Sequence, residues 1–184
     1  IYGGASFEMT APAEISRNTA NVHNAGWGGG VYVEWGSFLM HSGTISGNAA
    51  QNWGGGIVVS GQAKDWVPIP DKLGTFLMED GTISGNAAKQ GGGGVDIDRS
   101  NAEFTMTGGR ITNNTAKNGG GVNLEESANF IMTGGTISSN TATQNGGGVC
   151  LETDDANKFT MSSDAVISGN TAKDGGGVYV MRNA

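Results

Sequence analysis

Asp98, Glu125 and Glu152 hold the same place in three successive copies of one short pattern. Each stands one residue beyond a Gly-Gly-Gly-apolar-x-apolar run. Asp96 lies inside that run, between its two apolar residues, and Asp154 and Asp155 follow just after Glu152. Carboxylates at equivalent positions form a column if the copies stack. Neighbours about 5 Å apart repel by roughly 1 kcal/mol in water and several times more in a poorly solvated cleft. The column must therefore be well solvated, partly protonated or neutralised by a cation. Calcium suits the last case, since clustered carboxylate and amide oxygens bind it, and its ligands would be Asp98, Glu125 and Glu152. Catalysis is another use: carboxylates one or two copies apart fall in the range needed for glycoside hydrolysis, with Asp96, Asp98, Glu125 and Glu152 as the set. Arg99 is the one basic residue near the acids, and a lyase would want a base at their equivalent positions. The plainest use is a solvated acidic face that keeps a glycine-rich rod soluble.

The elements that would position these acids come from internal repetition. Three signatures recur in constant order, six times each. Phe-x-Met is found at Phe7/Met9, Phe38/Met40, Phe76/Met78, Phe104/Met106, Phe130/Met132 and Phe159/Met161. Ile-x-x-Asn follows at Ile15/Asn18, Ile45/Asn48, Ile83/Asn86, Ile111/Asn114, Ile137/Asn140 and Ile167/Asn170. The glycine run with its apolar pair comes third, at Val31/Val33, Ile57/Val59, Val95/Ile97, Val122/Leu124, Val149/Leu151 and Val178/Val180.

Each signature alternates with period two over three to five residues, and none has room for a helix. Strands that short bury nothing alone. Stacked about 4.8 Å apart they place Phe on Phe, Ile on Ile and Val on Val. The reading is an all-β, right-handed parallel β-helix, a three-sheet β-solenoid of about six coils. Glycine serves the bends, where positive φ or close approach to the next coil excludes other residues. Asn18, Asn48, Asn86, Asn114, Asn140 and Asn170 would form a structural ladder, each amide bonding the next coil and the local backbone.

Composition narrows the function. Gly is 34 of 184 residues, yet 36% of the chain is hydrophobic and recurs in fixed positions, which disordered glycine-rich chains do not show. A formal charge of −7 argues against nucleic acid as a partner. The single cysteine, Cys150, allows neither an internal disulfide nor a cysteine metal cluster. No apolar run approaches membrane-spanning length. His23 and His41 have no triad spacing around them and read as surface residues. The residues before each Ile of the second signature are Glu14, Thr44, Thr82, Arg110, Thr136 and Val166, too irregular for an ice-binding face. The chain opens at "IYGGASFEM" and closes at "GGGVYVMRNA", inside the repeat, so residues 1–184 read as one β-helical domain cut from a longer protein.

Four tryptophans are the candidate ligand-binding aromatics. Trp27 and Trp53 precede the triple glycines of coils one and two, which places one above the other, with Trp35 on a nearby edge. They either cover exposed glycine backbone or form a carbohydrate-binding strip. Trp66 lies in "SGQAKDWVPIPDKLGT", residues 60–75, the insertion that stretches one repeat to 38 residues. That loop should overhang the coil-two end of the acidic column, and long loops on rigid scaffolds often carry binding. Leu39, Leu77 and Ile131, between Phe and Met, imply that the first sheet is partly covered.

"ISGNTAKDGGGVYV", residues 167–180, resembles the tandem repeats of chlamydial polymorphic outer membrane proteins, whose paired signatures are Phe-x-x-Asn and Gly-Gly-Ala-Ile. Here Ile-x-x-Asn stands for the first and Gly-Gly-Val or Gly-Gly-Ile for the second, over nearly the whole chain. The resemblance implies a non-enzymatic, adhesin-like rod of a bacterial surface or secreted protein. Its partners would be a host or bacterial surface glycan or protein. No catalytic residue is carried over with it. Pectate lyases and polygalacturonases, also β-helices, set acids on successive coils of one sheet, which makes a carbohydrate-active β-helix the alternative. Unpaired strands at the coil ends would invite end-to-end stacking.

Overall fold

A computed structural model describes residues 4–21, 26–61, 73–152 and 157–181. Among them there is no helix, and every paired strand runs parallel to its neighbours. Phe-x-Met builds a six-stranded sheet from Ser6–Met9, Ser37–Met40, Gly74–Met78, Ala102–Met106, Asn129–Met132 and Lys158–Met161. Ile-x-x-Asn builds a second six-stranded sheet, running from Glu14–Ser16 to Val166–Ser168. The apolar pairs after the glycines build a third, from Val31–Glu34 through Ile57–Ser60, Val95–Asp98, Val122–Leu124 and Val149–Leu151 to Val178–Val180. This is the solenoid expected from the repeats, held in strict register: Phe76 pairs with Phe104, Ile83 with Ile111, and Val95 with Val122.

A fourth sheet was not visible in the signatures. The short strands Thr19–Ala20, Ala49–Ala50, Ala87–Ala88, Thr115–Asn118 and Thr141–Asn145 pair in parallel just after the Asn positions. Thr-Ala reads as a turn because two residues carry no detectable alternation. Stacking on the coils either side makes it a strand. Its inward residue is Ala50, Ala88, Ala116 or Ala142, all buried, a side chain small enough for a corner.

The interior is a set of like-on-like columns. Phe7, Phe38, Phe76, Phe104, Phe130 and Phe159 stack with ring centroids 4.6 to 4.9 Å apart and planes within 14°. Offset stacks of this kind add to the area that aromatic burial already removes from water. The columns open at the last coil, where Met161, Val178 and Val180 are exposed.

The two sequence puzzles, the Asn and the glycine triplet, resolve in backbone terms. Asn114 Nδ2 donates to the Ile83 carbonyl one coil back and to Asn140 Oδ1 one coil on, both at 3.0 Å. Its own Oδ1 accepts from the Asn86 amide at 2.9 Å and from Asn86 Nδ2 at 3.0 Å. The pattern repeats from Asn18 to Asn170. The residue before each Asn is left-handed, with φ from 56 to 63°, whether it is Arg17, Gly47, Gly85, Asn113, Ser139 or Gly169. In the triplet 119–121, Gly119 sits at φ 56°, while a Cβ on Gly120 would lie 2.7 Å from the Gly147 carbonyl oxygen of the next coil. The first glycine turns the chain and the second lets two coils touch.

Candidate functional site

The candidate acids sit on the outer side of the triple-glycine sheet, and that side is not wet. The residues between its apolar pairs, Val58, Asp96, Asn123 and Cys150, point away from the solenoid core yet are 0 to 1% exposed. The alternation that puts them outward holds; the inference that outward means solvated does not. The cover comes from residues that precede the glycines of each coil. Trp53, just before its glycines, swings across one coil and donates its indole Nε1–H to Glu125 Oε1 at 2.8 Å. Asn118, just before the coil-four glycines, donates Nδ2–H to Glu152 Oε1 at 2.7 Å. Gly91 admits the crossing, since a Cβ there would lie 2.4 Å from Asn123 Nδ2 and 3.0 Å from Trp53 Cδ1.

Under this cover lies a cavity of about 200 Å³ lined by Trp27, Trp53, Asp96, Asp98, Arg99, Glu125 and Glu126. Trp27 and Trp53 do not stack flat as their equivalence suggests. They meet edge to face, with centroids 5.5 Å apart at 75°, so one indole presents its face where the other presents its edge. Arg99 follows Asp98 with a left-handed φ of 74°, which returns its side chain over the sheet. Its guanidinium carbon lies 5.9 Å from the Trp27 ring centroid, and its Nε is 3.4 Å from Asp98 Oδ2.

Asn123 organises the acids. Its Nδ2 faces Asp96 Oδ1 at 3.1 Å, Glu125 Oε1 at 2.9 Å and Glu152 Oε2 at 3.3 Å. Its own Oδ1 is buried without a donor, as is Asp98 Oδ2, which accepts no hydrogen bond. Burial raises all three inner carboxyls. Asp98 rises to about 6, with the Arg99 charge opposing the shift. Glu125 rises to about 7, pushed by burial and then by Glu152 and Asp98. Asp96 rises well above the carboxylate range, through burial first and then Glu125 and Asp98. Burial likewise pushes the Cys150 thiol to about 12, so it is no nucleophile. Burial thus moves all three carboxyls of the pocket toward their protonated forms, Asp96 the furthest and Asp98 the least.

The candidates divide in space. Asp96, Asp98 and Glu125 share the pocket with Trp27 and Trp53, whereas Glu152 lies behind Asn123. Among the described residues, no three His, Cys, Asp or Glu side chains are arranged to hold a metal ion. Of the residues expected as calcium ligands, Asp98 lies beside Arg99, Glu125 accepts from the Trp53 indole and Glu152 from the Asn118 amide. Trp35 is anchored apart from the pocket, its Nε1 donating to the Gly61 carbonyl at 3.0 Å. Trp66, His23, Asp154 and Asp155 lie outside the described residues, as does most of the insertion. His41 is exposed and faces Glu79 Oε2 at 2.7 Å across two coils. Leu39, Leu77 and Ile131 are half-buried on the outer side of the Phe sheet. The sequence reading missed Asn123 and Arg99 as site residues. Asn123 carried a signal, standing in register between Asp96 and Cys150.

No curated protein and no solved structure matches the chain. Residues 29–184 match the family described as the right-handed β-helix region. With six parallel copies stacked in register and a match over most of its length, the chain belongs to the right-handed β-helix family.

Proposed function

We propose that the chain is a non-enzymatic, adhesin-like binding scaffold, part of an extracellular or surface protein of a bacterium, whose ligand site is the tryptophan-covered pocket. One observation carries this: the outer face of a solenoid sheet, where solvated side chains are the default, is instead closed by two indoles over a carboxyl-lined cavity. The sheet fixes the backbone beneath it, so the pocket is preorganised and loses little entropy on binding. Resemblance of the repeats to chlamydial outer membrane proteins supports the surface location. Surface glycans or proteins are the partners this role calls for. Calcium at Asp98, Glu125 and Glu152 and end-to-end stacking of coils remain secondary parts of the proposal.

A second reading has its own support. A carboxyl that holds its proton near neutral pH beside other carboxyls has the equipment of a general acid. That favours a carbohydrate-active β-helix using Asp96, Asp98, Glu125 and Glu152. Against it, Arg99 is engaged by Asp98 and the face of Trp27, which leaves no free base lining the pocket among the described residues.

A glycan array run with the wild-type chain and a Trp27→Ala/Trp53→Ala variant, beside a polysaccharide-cleavage screen, separates the two. Binding lost in the variant without cleavage supports the scaffold. Cleavage by the wild type supports the enzyme.

A further inference from the structure

The pocket combines features that favour one kind of ligand group. Four carboxyl-bearing residues line it, Asp96, Asp98, Glu125 and Glu126, against one cation, Arg99. Two indoles complete the wall, and the face of an indole attracts cations through its quadrupole. The protein already uses this pairing internally, since Arg99 lies over Trp27 and beside Asp98. That arrangement leaves Asp98 Oδ2, on a residue only 7% exposed, accepting no hydrogen bond at the pocket wall. Its one partner is the Arg99 guanidinium, in an ion-pair contact at 3.4 Å that is too poorly aligned to count as a hydrogen bond, so a donor from a ligand would complete its shell. The volume, about 200 Å³, falls below that of drug-sized sites and suits one ring.

We propose that this pocket binds an amino sugar carrying a free ammonium group, with the ammonium at Asp98 and the other inner carboxyls and the sugar ring against the Trp27 and Trp53 indoles. This rests on the binding-scaffold reading and names its ligand class. An ammonium has three donors and can satisfy Asp98 Oδ2 while turning toward Asp96 or Glu125. A neutral hexose hydroxyl brings a single donor and no charge, and leaves the repulsion among the acids in place.

Protons compete with the ligand. The groups facing the site are Asp96, Asp98, Glu125 and Glu126, with Glu152 behind Asn123, Arg99 at the rim, and Tyr32 packed edge-on against Trp27. Asp98 and Glu125 titrate near 6 and 7 in the empty pocket. An ammonium favours their charged forms, so binding expels protons and affinity rises with pH across that interval.

The test is titration of glucosamine, glucose and lysine methyl ester into the intact chain, followed by indole N–H chemical shifts and calorimetry at pH 5.5 and 7.5. Glucosamine should bind at least tenfold more tightly than glucose and more tightly than lysine methyl ester, with affinity for the protonated amine, corrected for the ammonium fraction at each pH, higher at pH 7.5. Asp98→Asn should weaken glucosamine at least tenfold with the circular dichroism unchanged. Trp27→Phe, which keeps an aromatic cover, should weaken it less than Trp27→Ala. Equal binding of glucose and glucosamine would overturn the ammonium assignment while leaving a sugar-binding scaffold. Equal binding of lysine methyl ester would overturn the ring assignment. No shift with any probe overturns the inference, and the array decides separately whether the scaffold binds glycans at all.

Discussion

Replacing Asn114 by Ala tests the ladder where the structure makes it most demanding. Asn114 is fully buried in a middle coil and its side chain makes four hydrogen bonds, two donated and two accepted. Alanine removes all four. It leaves the Asn86 amide N–H, itself buried, with no acceptor, and strips one bond each from the Asn86 carboxamide, the Ile83 carbonyl and Asn140 Oδ1. A buried polar group left unsatisfied costs about 1–3 kcal/mol. One full orphan plus three partial losses give about 3–5 kcal/mol, a large share of the roughly 5–15 kcal/mol that stabilises a domain. Asn170 makes three of these bonds, but in the half-buried last coil, where water can replace them. Its loss should cost about 1 kcal/mol. Urea unfolding followed by far-ultraviolet circular dichroism measures both, provided the slopes agree. Equal costs for Asn114→Ala and Asn170→Ala would refute the claim that the ladder's strength comes from coils on both sides.

Three further outcomes follow from the same geometry. Gly120→Ala places a Cβ 2.6 Å from the Thr141 carbonyl and 2.7 Å from that of Gly147, so it should destabilise by about 3 kcal/mol or more through overpacking. Gly176→Ala, with nothing nearer than 3.1 Å, should stay within about 1 kcal/mol, and thermal melts compare the two. Ser139→Gly relieves a left-handed residue at φ 56° and should stabilise by about 0.5–1 kcal/mol in the same melts. Because Asp98 and Glu125 hold protons in the folded state that the unfolded chain has already released, stability should be full below about pH 4 and fall as pH rises through 6 and 7. Glu125→Gln, which keeps the acceptor for Trp53, should flatten that fall in melts run from pH 4 to 8.

The solenoid was legible because its code is periodic. Phe, Ile and Val recur where the coils need them, and the register of Phe104 on Phe130 follows from sequence spacing alone. The Thr-Ala sheet was not legible, since two residues cannot show a period and their strand character comes only from the coils on either side. The site was half legible. Asp96, Asp98 and Glu125 could be aligned by eye, but their raised protonation comes from burial under a cover that includes Trp53, 72 residues from Glu125, whose hydrogen bond itself opposes the rise; no local pattern records that contact. Outward position does not bring solvation at Asp96 or Asp98, both of which are buried. In a coil whose turns fold back over its own sheet, alternation tells which side a residue faces and not what lies there. The terminal coils show the converse limit: Val178 and Val180 obey the core pattern and are exposed, because burial there needs a neighbour above them.

One experiment asks whether the pocket under Trp27 and Trp53 binds a surface glycan without cutting it. The most direct measurement takes the strongest ligand from the glycan array, measures its affinity by calorimetry, and follows the same mixture for newly released reducing ends. Saturable binding with the ligand recovered intact, and affinity lost in Trp27→Ala/Trp53→Ala, is the predicted result. Release of reducing ends by the wild type, abolished in Asp98→Asn while binding persists, would contradict it and assign the carboxyls to catalysis.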